Sequence, residues 1–401
     1  MSHHPGPDGH HAPARADRRT RLLLTALLAP MLLATVVGAV LLRAPAGDRP
    51  TLQTMAPGSS VQEVTVTAVD REATAMAQLD ARTAQGDDVE VHAPPEYLPE
   101  IDVGDRVRVI VLPTDAVAGA PAGAPTHVFV DFVRGPPMLL LAGVMAVLVV
   151  AVARLRGAAA LLGLGLSLAG IAWFTLPALL AGRPAAGVAV VSAVGIMVVV
   201  LYLVHGFSAR TSTALVGTVV GILLTAGIGA WATGATHLTG LGGENSLDLL
   251  QLAPDLSLSG VLLCGLVLAG LGVLNDVTIT QASAVWELRA SSPTASRREV
   301  FARAMRIGRD HIASTVYTVA FAYVGAALPL VLLVAMSDRA VLDVLGAGEV
   351  AEEVVRTLVG SIGLVLAIPV TTALGALLAG PGSLASADVA REDPVRVPVA
   401  G

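Results

Sequence analysis

The chain contains no lysine. All 25 of its cations are arginine, which stays charged at any physiological pH. A mechanism that needs an intramembrane lysine to gain and lose a proton is therefore closed to it. Cysteine is almost as scarce. The single Cys264 excludes an intrachain disulfide and a cysteine-based metal cluster, and inside an apolar run it reads as a small filler. Charged residues make up 14% of the 401 and aromatic ones 3%, against 54% hydrophobic. Ordinary soluble chains carry about 25% charge. With a mean hydropathy of +0.73, this composition excludes a large soluble globule.

Several chemical signatures are missing too. There is no His-Glu-x-x-His, no Cys/His cluster, no second Asp in a Gly-x-Gly-Asp setting, no Ser–His pairing and no Gly-x-x-x-x-Gly-Lys-Ser/Thr. The expectation is a protein that is not an enzyme, with no catalytic residue, no metal and no cofactor. The basic segment 289–309 lacks interleaved aromatics for base stacking, so nucleic acid is not an expected partner.

What is present is a series of apolar runs of 18 residues or more, which implies an α-helical polytopic membrane protein. Residues 1–20, rich in His and Pro, read as a disordered tail; His3, His4, His10 and His11 sit on no scaffold that would fix a metal. Arg15, Arg18, Arg19 and Arg21 precede the apolar run 22–42, which is longer than a signal-peptide core and so reads as a retained first span within 21–42.

Residues 43–135 change character. Alternating segments at 61–69, 89–91, 106–112 and 127–132, separated by Gly/Asp/Pro turn signals, predict a small extracytoplasmic β-domain, a partly closed barrel, between helices 1 and 2. Asp131 and Arg134 stand where the chain returns to the membrane, placed either to tie domain to helix or to form a solvated pair. A bundle at 136–380 follows, with spans near 137–155, 158–181, 186–206, 213–234, 258–283, 312–336 and 355–379, making about eight transmembrane helices in all; 381–401 read as a second disordered tail. Arginines cluster in alternate connections, which puts both termini in the cytoplasm of a plasma-membrane protein, while Glu244, Asp248, Asp255, Asp338, Asp343, Glu349, Glu352 and Glu353 fall outside.

One stretch stands apart, 256–288. Its first half is apolar. Its second half keeps a helical rhythm but carries Asn275, Asp276, Thr278, Thr280, Gln281 and Ser283. Asp276, Thr280, Ser283 and Glu287 share one helical face, with Gly272 one turn earlier where another helix can approach. A carboxylate at membrane depth costs at least ~2.5 kcal/mol and normally faces protein or water. Asp276 is therefore either an ion-coupling acid, with Asn275 and Thr280 beside it, or a structural Asp that hydrogen-bonds a neighbouring Thr or Tyr317. Glu287 reads as an interfacial residue paired with Arg289. Arg309, Asp310 and His311 read as a helix-start cluster, with His311 a proton relay in the functional version. Ser296 and Glu299 predict a capped amphipathic basic helix that meets anionic lipid at 289–309.

The run from Gly272 through Asp276 to Trp286-Glu287-Leu288, the basic segment after it, and the run from Gly308-Arg309-Asp310-His311 to Thr315, Tyr317 and Thr318 resemble the YibE/F-like membrane proteins. So does the order of parts: one helix, a small domain, then a bundle. A more distant likeness is to the resistance–nodulation–division superfamily and its SecD/SecF export components, which also show Gly-x-x-x-Asp in a helix followed by a Thr-rich one. That likeness implies Asp276 as the coupling acid, Thr315 and Thr318 as its polar partners across the bundle, and a homo- or heterodimer. The chain departs from it in its extra spans between 158 and 234, its small outside domain and its lack of a second intramembrane carboxylate beside Asp276. Two functions follow as expectations: a secondary-transporter-like or export-accessory protein of unknown substrate, or an envelope scaffold that binds a partner through its β-domain.

Overall fold

The computed structural model describes residues 18–45, 55, 57–70, 77–112, 127–243 and 245–379. The tails expected at 1–20 and 381–401 lie outside them, except that Arg18–Thr20 already belong to the first helix. The chain divides into two units, Thr51–Arg154, and Met1–Pro50 together with Leu155–Gly401.

The first unit holds five strands, β1 (Ser60–Val69), β2 (Ala77–Thr83), β3 (Asp88–Ala93), β4 (Arg106–Val111) and β5 (His127–Phe132). They close into a barrel in the order β1-β2-β3-β5-β4, β1 pairing back to β4 and only β3–β5 parallel. A 3₁₀ turn at Pro95–Glu100 lies between β3 and β4. This is the strand order of OB-fold barrels. Alternation puts Val64, Val66, Leu79, Ala81, Val91, Val107, Val109 and Phe129 inside, with Ile101 beside them. β2 is absent from the sequence expectation because its segment, AQLDART, offers only Leu79 and Ala81 to the core and little β-propensity. The barrel is closed where a partly closed one was expected. Arg82 bonds Asp88 across β2–β3 at 2.8 Å, which raises the guanidinium pKa. Arg134 and Asp131 form a pair at 2.9 Å with both side chains about half exposed, the solvated version of the two expected.

The helices are α1 (Arg18–Leu42), α2 (Gly135–Gly170) running through a π-turn into α3 (Leu176–Leu180), α4 (Ala185–His205), α5 (Ala209–Ala235), α6 (Ser246–Leu252), α7 (Leu258–Ala269), α8 (Leu271–Ser291), α9 (Arg297–Ala326), α10 (Leu328–Ala335), α11 (Val341–Leu345) and α12 (Gly348–Leu378). Serines cap three of them. Ser208 accepts from Thr211 N, Ser257 from Gly260 N, and Ser296 with Glu299 completes the capping box expected for α9.

Among the described residues, six helices are long and apolar enough to cross a membrane, and the bent pair α9–α10 makes a seventh span if it counts as one. The expectation of eight divides the 46-residue helix Gly135–Leu180 in two. Its backbone breaks at Arg154, φ 55° and ψ −132°, where the sequence separates its second and third spans. Two further differences concern α9. It begins at Arg297, so the basic segment and the next span form one continuous helix, and at Ala327 the chain bends by 76° into α10 instead of continuing straight to 336.

α12 lies against α5, α8 and α9, and α4 against α1, α5 and α7. Small residues set these crossings. A Cβ on Gly217 would overlap Thr371, one on Gly221 would meet Leu274 and Ala367, and one on Gly363 would overlap Thr225. Gly163, Gly217, Gly221 and Gly229 sit at contacts, whereas Gly165 and Gly227 meet nothing within 4 Å.

Candidate functional site

α8 has two polar faces, and they do different things. Leu274, Val277, Thr278, Gln281, Ala282 and Val285 are buried, at a three-four spacing that turns one stripe into the bundle. On that stripe Thr278 meets Thr218 of α5 at 2.6 Å, and the Thr372 hydroxyl of α12 donates to Gln281 at 3.0 Å. Thr218, Thr278, Gln281, Thr371 and Thr372 are all fully buried. Gly308 of α9 comes close enough that a Cβ there would lie 3.0 Å from Gln281 Nε2. This layer joins α5, α8, α9 and α12 at one level. Interhelical hydrogen bonds of this kind contribute about 0.6 kcal/mol each in a bilayer, so the layer fixes register more than it adds stability. The Gln281 amide nitrogen and the Thr371 hydroxyl have no hydrogen-bond partner among the described residues.

The second face carries Asp276, and it looks away from the bundle. The Asp276 side chain is 68% exposed. Gly272, one turn before it, has nothing within 4 Å of where its Cβ would be, so no described helix of the chain approaches there. The nearest charged neighbour is His311 of α9, with Nε2 3.7 Å from Asp276 Oδ2 and a side chain 26% exposed. That separation is too long for a direct hydrogen bond; it makes an ion pair when the imidazole is protonated. Depth follows from neighbouring residues. Val277 packs with Leu364 and Ile368, near the middle of α12, whereas Arg289 reaches Ala379 just past its end. Asp276 is 13 residues from Arg289, about 20 Å along α8. Asp276 and His311 therefore lie level with the middle of α12, on the outer surface of this unit. Arg306, Arg309, Asp310, Ser314 and Thr318 of α9 are exposed as well.

The other expected site residues separate. Asn275 is half-buried, with Oδ1 unpartnered. Thr280 is half-buried on α8. Thr315 and Thr318 do not reach Asp276, because each hydroxyl bonds its own helix, to His311 O at 2.7 Å and Ser314 O at 3.1 Å. Arg309, Asp310 and His311 do not open a helix, since α9 has already run for twelve residues from Arg297. Glu287 lies 4.0 Å from Arg210 of α5 instead of pairing with Arg289. Arg289, assigned by sequence to a lipid-facing loop, is fully buried and donates to Ala379 O at 2.6 Å, Ala295 O at 2.6 Å and Pro293 O at 3.3 Å. It satisfies the Ala379 carbonyl at the end of α12 and two carbonyls in the turn between α8 and α9.

Sequence reasoning marked Thr278 and Gln281 as polar but missed their partners Thr218 and Thr372, and Thr371 beside them. The available signal was Gly217 beside Thr218 and the Thr371-Thr372 pair, polar and small residues inside otherwise apolar spans.

Comparison with curated proteins and with solved structures returned no match. The model of one family, YibE/F-like protein, matches residues 141–381, which run from α2 to the end of α12 and include Asp276, His311 and the buried threonine layer. The chain belongs to the YibE/F-like family.

Proposed function

We propose that this protein is a secondary-transporter-like or export-accessory membrane protein in which Asp276, with His311, carries the coupling ion. One observation supports the reading above others: a carboxylate and an imidazole 3.7 Å apart level with the middle of α12, on a surface that lipid alone would leave unsatisfied. A buried structural Asp would have found a hydroxyl within the bundle, and the nearby hydroxyls of Thr278, Thr315 and Thr318 all bond elsewhere. The polar face with Asp276, Arg306, Arg309 and Asp310 holds both signs, so it suits a protein partner, a second copy or a different subunit, better than hydrocarbon. In this reading the protein is not an enzyme, its resemblance to the resistance–nodulation–division superfamily extends to coupling, and it lies in the plasma membrane with both termini cytoplasmic. Arg297, Arg298 and Arg303, in the first turns of α9, meet anionic lipid; Arg289 does not.

Hydrogen exchange in nanodiscs tests it. Sodium, or a drop in pH after correction for intrinsic exchange, should change protection along α8 and α9 in the wild type and not in Asp276→Asn. The same protection under all ions in both proteins would count for the scaffold function instead.

A further inference from the structure

The bend between α9 and α10 encloses space that the ion-coupling reading does not use. In its crook lies a cavity of about 520 Å³, bounded by Tyr323, Ala327 and Leu330 on one side and by Glu349, Glu353 and Arg356 of α12 on the other. A second cavity of about 340 Å³ lies deeper, between α5, α8, α9 and α12, at the Gly270 junction of α7 and α8. Its walls are apolar apart from Thr225, Thr318 and Tyr323. Tyr323 and Ala326 line both spaces. The two spaces thus adjoin at Tyr323 and Ala326, one lined by charges and the other apolar.

The charges around the first space do not cancel. Arg356 is bound to Glu353 at 2.6 Å, with both side chains mostly buried, which matches one carboxylate. Glu352, next along α12, accepts from Gly242 N at 3.2 Å. Glu349 is exposed and has no cationic partner among the described residues. Glu349, with Glu352 beside it, therefore keeps the rim negative, next to a tyrosine ring that favours a cation over its face. From this we infer that the paired cavities bind an amphiphilic organic monocation. Its charged head sits at Glu349, and its apolar body lies past Tyr323 in the chamber at Gly270. That this molecule is the transported substrate rests on the proposed function; that it binds does not.

The test is equilibrium binding to the full chain in phosphatidylcholine nanodiscs, with empty nanodiscs subtracted. The probes are benzyltrimethylammonium and benzenesulfonate, which share an aromatic body and differ in sign. The cation should bind and the sulfonate should not. Glu349→Gln, at an exposed position, should fold with unchanged thermal stability and weaken the cation roughly tenfold, the loss of one charge pair near the surface. Gly360→Phe, which fills the deep chamber, should abolish binding. Asp276→Asn should bind the cation as the wild type does, so a failure of coupling leaves this site standing. No binding of the cation, equal binding of the sulfonate, or unchanged affinity in Glu349→Gln would each overturn the inference; equal binding of the sulfonate would point to Arg356 as the recognising group.

Discussion

The α5–α12 crossing gives a prediction whose size can be worked out from the contacts. A methyl group on Gly217 would overlap the Thr371 hydroxyl and also press on its Cβ and Cγ2 within 3 Å. Thr371 is β-branched and fully buried in a helix, so it has no empty rotamer to retreat into. The helices must part instead, which loosens the nearby contact of Gly221 with Leu274 and Ala367. Overpacking of this kind costs about 3 kcal/mol at the upper end, and the better helix propensity of Ala returns about 1, so Gly217→Ala should destabilise by about 2 kcal/mol. Thr371→Ala should cost about 1 kcal/mol or less, because the lost methyl contact is offset by removing a buried hydroxyl that has no partner. The double variant makes room for the new methyl and keeps the better helix propensity of Ala, so it should be about 1 kcal/mol more stable than Thr371→Ala alone. The coupling energy is then about 3 kcal/mol in favour of the pair. Equilibrium unfolding of the four proteins in one detergent measures it. Additive effects, or a Gly217→Ala protein as stable as the wild type, would refute the close crossing.

Other perturbations read other parts of the molecule. Leu79→Ala removes a fully buried side chain from the barrel and should lower its stability by about 2–5 kcal/mol, seen as faster exchange of the β1–β5 amides while the helices are unchanged. Burial lowers the pKa of His127 on β5, so the folded barrel favours the neutral ring; its contribution is complete above about pH 6.5 and is lost as pH falls through the lower folded value. A His127→Gln barrel should lose less stability than the wild type between neutral and mildly acidic pH. Ser296→Ala breaks the capping box and should cost about 1 kcal/mol, confined to the first turns of α9 in hydrogen exchange.

How much of this was legible in the sequence depended on whether a signal was periodic or relational. Strands β1, β3, β4 and β5 announce themselves because hydrophobic residues alternate strongly; β2 does not, because a small barrel needs only Leu79 and Ala81 from it. The polar content of α8 was visible, and so was the face that carries Asp276. Which of the two polar faces points inward was not, because both hold small and hydroxylated residues and only the positions of Thr218 and Thr372 decide it. A charge count put Arg289 at a lipid surface, and the fold buries it where the Ala379 carbonyl at the end of α12 and the Pro293 and Ala295 carbonyls before α9 converge. The bend at Ala327 was signalled by Pro329, which sits in the first turn of α10 where proline is well tolerated, yet nothing local sets its 76° angle.

The central claim is that Asp276 takes up an ion at membrane depth. Infrared difference spectroscopy of the protein in bilayers, with Asp276→Asn as reference, tests it most directly. The account predicts a protonated-carboxyl band that grows as pH is lowered, is suppressed by sodium or altered by His311→Gln, and is missing from Asp276→Asn. Identical difference spectra for the wild type and Asp276→Asn, at every pH and sodium concentration, would contradict it.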